Sequence, residues 1–237
     1  MTLTSTGILH GIKALARPLI GTVTHVATSR RAIALTFDDG PDPKHTPALL
    51  EILGRYDAKA TFFMVGASAR KYPHLVRQTA EAGHAVANHS WNHPSFPSIS
   101  SRERRRQLRA CRDALAPYEV PYFRAPGGHL TPRSALDVRT MGYMVIGWDL
   151  NPKDYLARSA EEISGQILKE LRPGNIVLLH DSNFHYPDTD RHATVRAVDM
   201  VLESTHEQFD FVTVPQLMAM GRPQRINAFW RPEAVEW

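Results

Sequence analysis

Ala32-Ile33-Ala34-Leu35-Thr36-Phe37, followed at once by Asp38-Asp39-Gly40-Pro41, is the stretch that decides the fold. A short apolar run that breaks off in two carboxylates and a turn is the pattern of a buried strand delivering side chains to a loop. Outward from it, residues 46–56 read as a helix and Ala60-Thr61-Phe62-Phe63-Met64-Val65 as a second buried strand ending at Gly66. A helix passes through Leu75 and Glu81, and after Gly83 comes the strand-like His84-Ala85-Val86-Ala87-Asn88. The alternation continues with an arginine-rich helix over 101–116, a strand at Tyr122-Phe123-Arg124, a helix after Thr131-Pro132, a strand over 143–148, a helix over 160–171 and a strand over 175–180. Repeated βα units of this length argue for an α/β fold with a parallel sheet, open or closed into a barrel. Several strands end in polar groups: Asp38-Asp39, His89, Arg124, Asp149 and His180-Asp181. In a βα barrel those ends share the face where catalytic groups gather.

The bulk properties suit one large domain. With 43% hydrophobic and 22% charged residues in 237, disorder, collagen-like repetition and a disulfide miniprotein are disfavoured. A net charge of +4 is too small to imply nucleic acid, and the lone Cys111 can form no intrachain disulfide. Residues 8–20 are partly apolar but interrupted by His10, Lys13, Arg17 and Pro18, which suggests an amphipathic helix rather than a signal peptide or spanning segment. The compartment stays open, with the cytoplasm slightly favoured on that ground.

His89 and His93 are four apart, so on a helical turn both imidazoles reach one ion. A carboxylate, supplied by Asp38 or Asp39, would complete a three-ligand site open to water and substrate. Taken alone, the pair is at least as well read as two ordinary histidines, and Asp39 as a helix-capping turn residue. Two adjacent acids at a strand end shift the balance, because they repel unless a cation or a proton neutralises one.

Four blocks then carry a resemblance. Thr36-Phe37-Asp38-Asp39-Gly40-Pro41, His89-Ser90-Trp91-Asn92-His93-Pro94, Arg124-Ala125-Pro126-Gly127-Gly128 and Leu178-Leu179-His180-Asp181 occur in the order found in the polysaccharide deacetylase family. This is the NodB-homology domain of carbohydrate esterase family four, which the chain resembles over about residues 31–220. The resemblance implies a distorted (β/α) barrel, flanked by an N-terminal extension over 1–30 and an irregular C-terminal extension over 221–237. It also implies that Asp39, His89 and His93 bind a divalent metal, with Asp38 left as general base. The Gly127 N–H would hold the oxyanion, His180 would protonate the leaving amine, Arg124 would hold the base and Asp154 would orient His180. Leu178 would line the acetyl pocket; Tyr155, Trp148 and His129 are candidate substrate contacts. Zinc is the expected ion, although cobalt, nickel, manganese or iron suit the same donors.

The implied activity is hydrolysis of the N-acetyl amide of an N-acetylhexosamine in a glycan or oligosaccharide, with chito-oligosaccharide and peptidoglycan as candidate polymers. A small N-acylated metabolite is the alternative substrate. The rival from another class is a noncatalytic glycan- or nucleic-acid-binding protein; no nucleic-acid partner is expected, and the oligomeric state is not readable. Two motifs depart from the family. Gly127 stands where an aromatic residue is usual, and Asn151-Pro152-Lys153-Asp154-Tyr155 replaces two aspartates and a tryptophan, so that Asp149 competes with Asp154 for its role. Arg102 to Arg112 form the densest charge, read as a solvated helix face. His84 and Cys111 read as structural, and His185, Tyr186, Asp188, Asp190 and His192 as a rim loop.

Overall fold

Four strands are buried along their whole length: β2 (Ala32–Asp38), β3 (Ala60–Met64), β4 (Ala85–Asn88) and β7 (Ile176–His180). Near-continuous apolar strands of this kind suit a parallel sheet covered on both faces. With β5 (Glu119–Phe123) and β6 (Met144–Val145) they run parallel in the order β6-β5-β4-β3-β2-β7, and β8 (Asp210–Phe211) pairs with the start of β2. The structure, a computed structural model, describes residues 21–226.

Strand alternation sorts the side chains into two layers. Ile33, Leu35 and Phe37 of β2 and Val177 and Leu179 of β7 face outward. They pack against Leu49 and Leu53 of α1 (His45–Arg55), Ile163 and Ile167 of α6 (Ala160–Glu170), and Val198 and Leu202 of α7 (His192–Thr205). Ala34, Phe63, Ala87, Ile176 and Leu178 face the other way, onto Val23, Ile146 and Trp148. Thr36, Asp38 and His180 are in phase with Ala34 and Leu178, so this second, interior face is the one that receives them. The remaining helices are α2 (Gly66–Lys71), α3 (Pro73–Glu81), α4 (Ser101–Leu115), α5 (Pro132–Thr140) and α8 (Val214–Ala219).

The sheet curls, and its open side is closed by two features. Beyond β6 the chain reaches β7, where Leu178 N–H donates to Leu150 O at 2.9 Å and Leu150 bridges Val177. Beside it lies β1 (Thr22–Ala27): Gly147 N–H donates to Val23 O at 2.7 Å and Val26 N–H to Gly174 O at 3.0 Å. The distorted (β/α) barrel expected from the motifs is the fold observed.

β1 pairs antiparallel with β9 (Arg222–Ile226), and Val23 and Val26 are fully buried. Stretches on both sides of residues 31–220 thus contribute a strand each to this ribbon. The β-branched alternation in Thr22-Val23-Thr24-His25-Val26 was the available signal. The expected amphipathic segment at 8–20 lies outside the described residues. The helix expected through Leu75 and Glu81 is preceded by a separate one, α2, because Pro73 opens α3 as its first residue. The expected strand over 143–148 makes ladder pairs only at Met144 and Val145 before turning toward β1 and β7.

Gly174 sits at φ +86, and a methyl group there would strike the Val26 carbonyl in the backbone of β1. Gly174→Ala is therefore expected to cost more than about 1 kcal/mol and to lower the melting temperature. Chemical denaturation of the two proteins checks this, and equal midpoints would contradict the closure described.

Candidate active site

Parallel register brings the site together. Asp38 is paired with Phe63 on β3 and with His180 on β7; Met64 is paired with Asn88, and Asn88 with Phe123. Among the positions one residue further on are Asp39, His89, Arg124 and Asp181, so four chain segments deliver polar groups to one rim.

Asp39, His89 and His93 are all buried, and each offers a donor atom within 4.8 Å of the others. Asp39 Oδ1 lies 3.5 Å from His89 Nε2 and 3.3 Å from His93 Nε2. Among the described residues it accepts no hydrogen bond of good geometry, although it is shielded from solvent. A tetrahedron built on metal–ligand bonds of about 2.0–2.1 Å has edges of about 3.3–3.4 Å. His89 Nδ1 lies 2.9 Å from the Arg124 carbonyl, which can only accept, so Nδ1 carries the proton and Nε2 turns its lone pair to Asp39. The donors and the orphaned carboxylate oxygen thus fit a divalent cation. Burial alone would raise the Asp39 pKa, but the neighbouring histidines, His93 foremost, hold it well below the ordinary carboxylate range. Burial lowers His93 to about 4 against the opposing pull of Asp39. Asp39 and His93 also hold positive φ, 78° and 55°, a backbone cost of roughly 1–3 kcal/mol each that surrounding structure must sustain.

Asp38, on the interior face, is fixed by Arg124. Arg124 NH1 donates to Asp38 Oδ1 and to Thr36 Oγ1, both at 2.7 Å, and NH2 donates to Gly147 O at 2.8 Å. The guanidinium, with no exposure, stacks 4.1 Å over the Phe63 ring and 5.5 Å from Trp148. Burial works against its charge and lowers its pKa, while Asp38 opposes that shift. Asp38 Oδ2 is left toward the metal-ligand side, 3.8 Å from His89 Nε2.

His180 faces this group across the strand pair. Its Nδ1 lies 2.8 Å from Asp154 Oδ1, and its backbone N–H donates to Asp154 Oδ2 at 2.8 Å. Thr194 Oγ1 donates to the same oxygen at 3.0 Å, and Arg191 NH1 donates to the Asp154 carbonyl. Burial would lower the His180 pKa, yet Asp154 and the Asp38–Asp39 pair raise it above 6.5. Burial would raise Asp154, and His180 brings it below 3.8. A narrow cleft runs between the two halves, lined by Asp38, His89, His93, Gly127, Gly128, Trp148, Tyr155, Leu178 and His180. The Tyr155 ring stands edge-on to His180 at 5.5 Å.

Of the residues expected to bind metal, act in catalysis or contact substrate, His129 stands apart. It is half-buried beside the Pro126–Gly128 turn and does not line the cleft. Asp149 does not compete with Asp154: its carboxylate takes Ile176 N–H at 2.9 Å and Asn175 Nδ2 at 2.7 Å, at the opposite end of β7 from His180. Sequence reasoning missed Thr194 and Arg191, because the helix α7 went unread despite apolar Ala197, Val198, Val201 and Leu202 at helical spacing. Gly40 N–H donates to Asp181 Oδ1 at 3.0 Å, and a side chain at Gly40 would collide with that carboxylate. Burial pushes Asp181 up to about 7.

The arginine-rich helix is not simply a solvated face. Arg104 is buried, and Arg104 and Arg105 both bind Asp137 of α5. Arg112 donates to Tyr143 OH and Met141 O. His84 is structural, its Nδ1 accepting from Ala60 N–H at 3.1 Å, and burial raises the pKa of the Cys111 thiol. A second group, His45, Asp190 and His192, also clusters. There His45 Nε2 accepts from Arg191 N–H, Asp190 Oδ1 accepts from the backbone N–H of His192 at 2.9 Å, and the side chains of Asp190 and His192 are exposed, so the group ties a loop to α1.

Known proteins share this architecture. A peptidoglycan N-acetylglucosamine deacetylase crystallised with 4-naphthalen-1-yl-N-oxidanyl-benzamide superposes with a TM-score of 0.77 at 28% identity, covering 85% of this chain and 94% of that one. The sequence profile described as polysaccharide deacetylase matches residues 25–146. The chain is 34% identical to a peptidoglycan-N-acetylglucosamine deacetylase of Bacillus cereus over 198 residues, 81% of this chain and 91% of that protein. It is also 34% identical to a chitooligosaccharide deacetylase of Sinorhizobium fredii, over 82% of this chain and 95% of that one. The chain belongs to the polysaccharide deacetylase family, the NodB-homology fold of carbohydrate esterase family four.

Two outcomes follow for stability. Arg124→Met leaves Asp38 buried without its cation and is expected to cost about 3–5 kcal/mol, with part recovered in the double variant that adds Asp38→Asn. Additive losses on denaturation would contradict the pairing. For His180 and Asp154, stabilisation is full between the ordinary values 3.8 and 6.5. It is lost as pH falls through the lowered Asp154 pKa or rises through the raised His180 pKa. The stability gap between wild type and Asp154→Asn is therefore widest between those values and narrows above them. Urea titrations at several pH values test this, and a gap independent of pH would contradict it.

Proposed function

We propose that this chain is a metal-dependent hydrolase that removes the N-acetyl group from N-acetylhexosamine units of a glycan, releasing acetate. The observation that carries the reading is the meeting, at one barrel rim, of the Asp39–His89–His93 donor set with Asp38 and the His180–Asp154 pair. The names of the relatives, which are peptidoglycan and chito-oligosaccharide deacetylases, support a glycan as substrate. Zinc suits two imidazoles and one carboxylate with positions left open.

When bound, a divalent ion there polarises the amide carbonyl and lowers the pKa of water. Asp38, its Oδ1 engaged by Arg124, uses Oδ2 to take the proton from the attacking water. The Gly127 N–H, at the cleft wall, donates to the developing oxyanion. His180, held through Nδ1 by Asp154, whose charge favours the protonated ring, gives the Nε2 proton to the leaving amine. Leu178 and Trp148 supply an apolar wall for the acetyl methyl, and Tyr155 orders the ring beside His180.

Acetate release from N-acetylglucosamine oligomers and from peptidoglycan, with chelator and then with zinc or cobalt restored, is the test. Chelator-sensitive, metal-restored release is expected. No release from either polymer by metal-loaded protein would overturn the glycan reading and point to a small N-acylated compound. Asp38→Asn is expected to keep the metal and lose at least about 100-fold in turnover, whereas His89→Ala loses metal as well.

A further inference from the structure

We infer that His185, on the loop between β7 and α7, is a positioning residue that sets the tautomer of His93 and thereby the affinity of the site for its metal. The inference rests on the metal reading proposed above. His185 Nε2 lies 3.1 Å from His93 Nδ1, with the rings edge to face at 5.1 Å. A neutral imidazole carries one N–H, so His93 can offer the Nε2 lone pair beside Asp39 only when its proton is on Nδ1. That proton needs an acceptor.

The two metal-side histidines meet this need differently. His89 Nδ1 faces a backbone carbonyl, which allows one arrangement only. His93 Nδ1 faces another imidazole, which allows two. In one, His93 Nδ1–H donates to His185 Nε2, and His185 carries its own proton on Nδ1; His93 Nε2 is then a ligand. In the other, His185 Nε2–H donates to His93 Nδ1, and His93 carries its proton on Nε2, 3.3 Å from Asp39 Oδ1, where it blocks the ligand position. An ion bound by Asp39 and His93 selects the first arrangement, so the acceptor capacity of His185 is linked to metal affinity.

The loop is built to hold His185 in place. Asn183 Oδ1 accepts from the backbone N–H of His185 at 3.1 Å and of Tyr186 at 3.2 Å. Phe184 lies against the rings of both His93 and His185. At the far end Arg191 donates through its side chain to the Ser182 carbonyl and through its backbone N–H to His45 Nε2. The side chain of His185 is itself exposed, so its replacement leaves the core intact.

The test is zinc competition against a chromophoric chelator with wild type, His185→Ala and His185→Gln. The alanine variant is expected to bind zinc about 10–100-fold more weakly. Glutamine, whose Oε1 can accept from His93 Nδ1–H, is expected to bind within a few-fold of wild type. Equal affinities in all three, or a glutamine variant as weak as alanine, would overturn the inference. If wild type itself takes up no zinc or cobalt, the metal reading is what fails. Long-range nitrogen–proton spectra of the zinc-loaded protein give a second readout, with the His93 proton expected on Nδ1.

Discussion

The ion pair between Arg124 and Asp38 is the constraint around which the rest of the site is arranged. A guanidinium with no solvent exposure is tolerable only if its donors and its charge are satisfied inside the protein. Here one carboxylate, one hydroxyl, the carbonyl of Gly147 and the face of Phe63 do so. Those partners come from β2, β3 and the chain beyond β6, so the pair also reports that the barrel has curled enough to bring them together. Arg124 further supplies, through its backbone carbonyl, the acceptor that orients His89. One residue thus positions both Asp38 and His89, by two different atoms.

The same economy recurs on the opposite wall. Asp154 accepts from the backbone and faces the ring of His180, while Thr194 and Arg191 hold Asp154. Groups that must keep a defined protonation state are each clamped by a partner that is itself clamped, which limits the number of arrangements the cleft can adopt. The loop that carries Arg191 also carries His185, so the segment between β7 and α7 reaches both halves of the site.

Much of this was readable from residue order, for a physical reason. Buried parallel strands are short apolar runs, and their ends are marked by the first polar residues, so β2, β3, β4 and β7 and the groups just after them stood out. Motif order then singled out Asp38, Asp39, His89, His93 and His180, which the fold brings to one rim. What was hidden lies where a signal is split or weak. β1 and β9 are partners almost at opposite ends of the chain, and β9 contains a proline, so neither half looks decisive alone. The choice between Asp149 and Asp154 depended on which end of β7 each reaches, which spacing cannot tell. The arginines of α4 carry charge that composition assigns to solvent, but Asp137 on a different helix consumes two of them. His185 was placed on the rim; its pairing with His93 needed coordinates.

The ribbon of β1 and β9 has a mechanical side. Thr22 and Ile226 are direct partners, so the first and last of the described strands meet at one end and run antiparallel from there. Tension applied across those two residues would load the ribbon as a zipper, straining one rung at a time instead of shearing all rungs together. Because β1 also plugs the gap between β6 and β7, peeling would continue into the barrel wall itself. A pull applied at Thr22 and Ile226 would therefore open the wall from the side before it disturbed the rim where Asp38 and Arg124 meet.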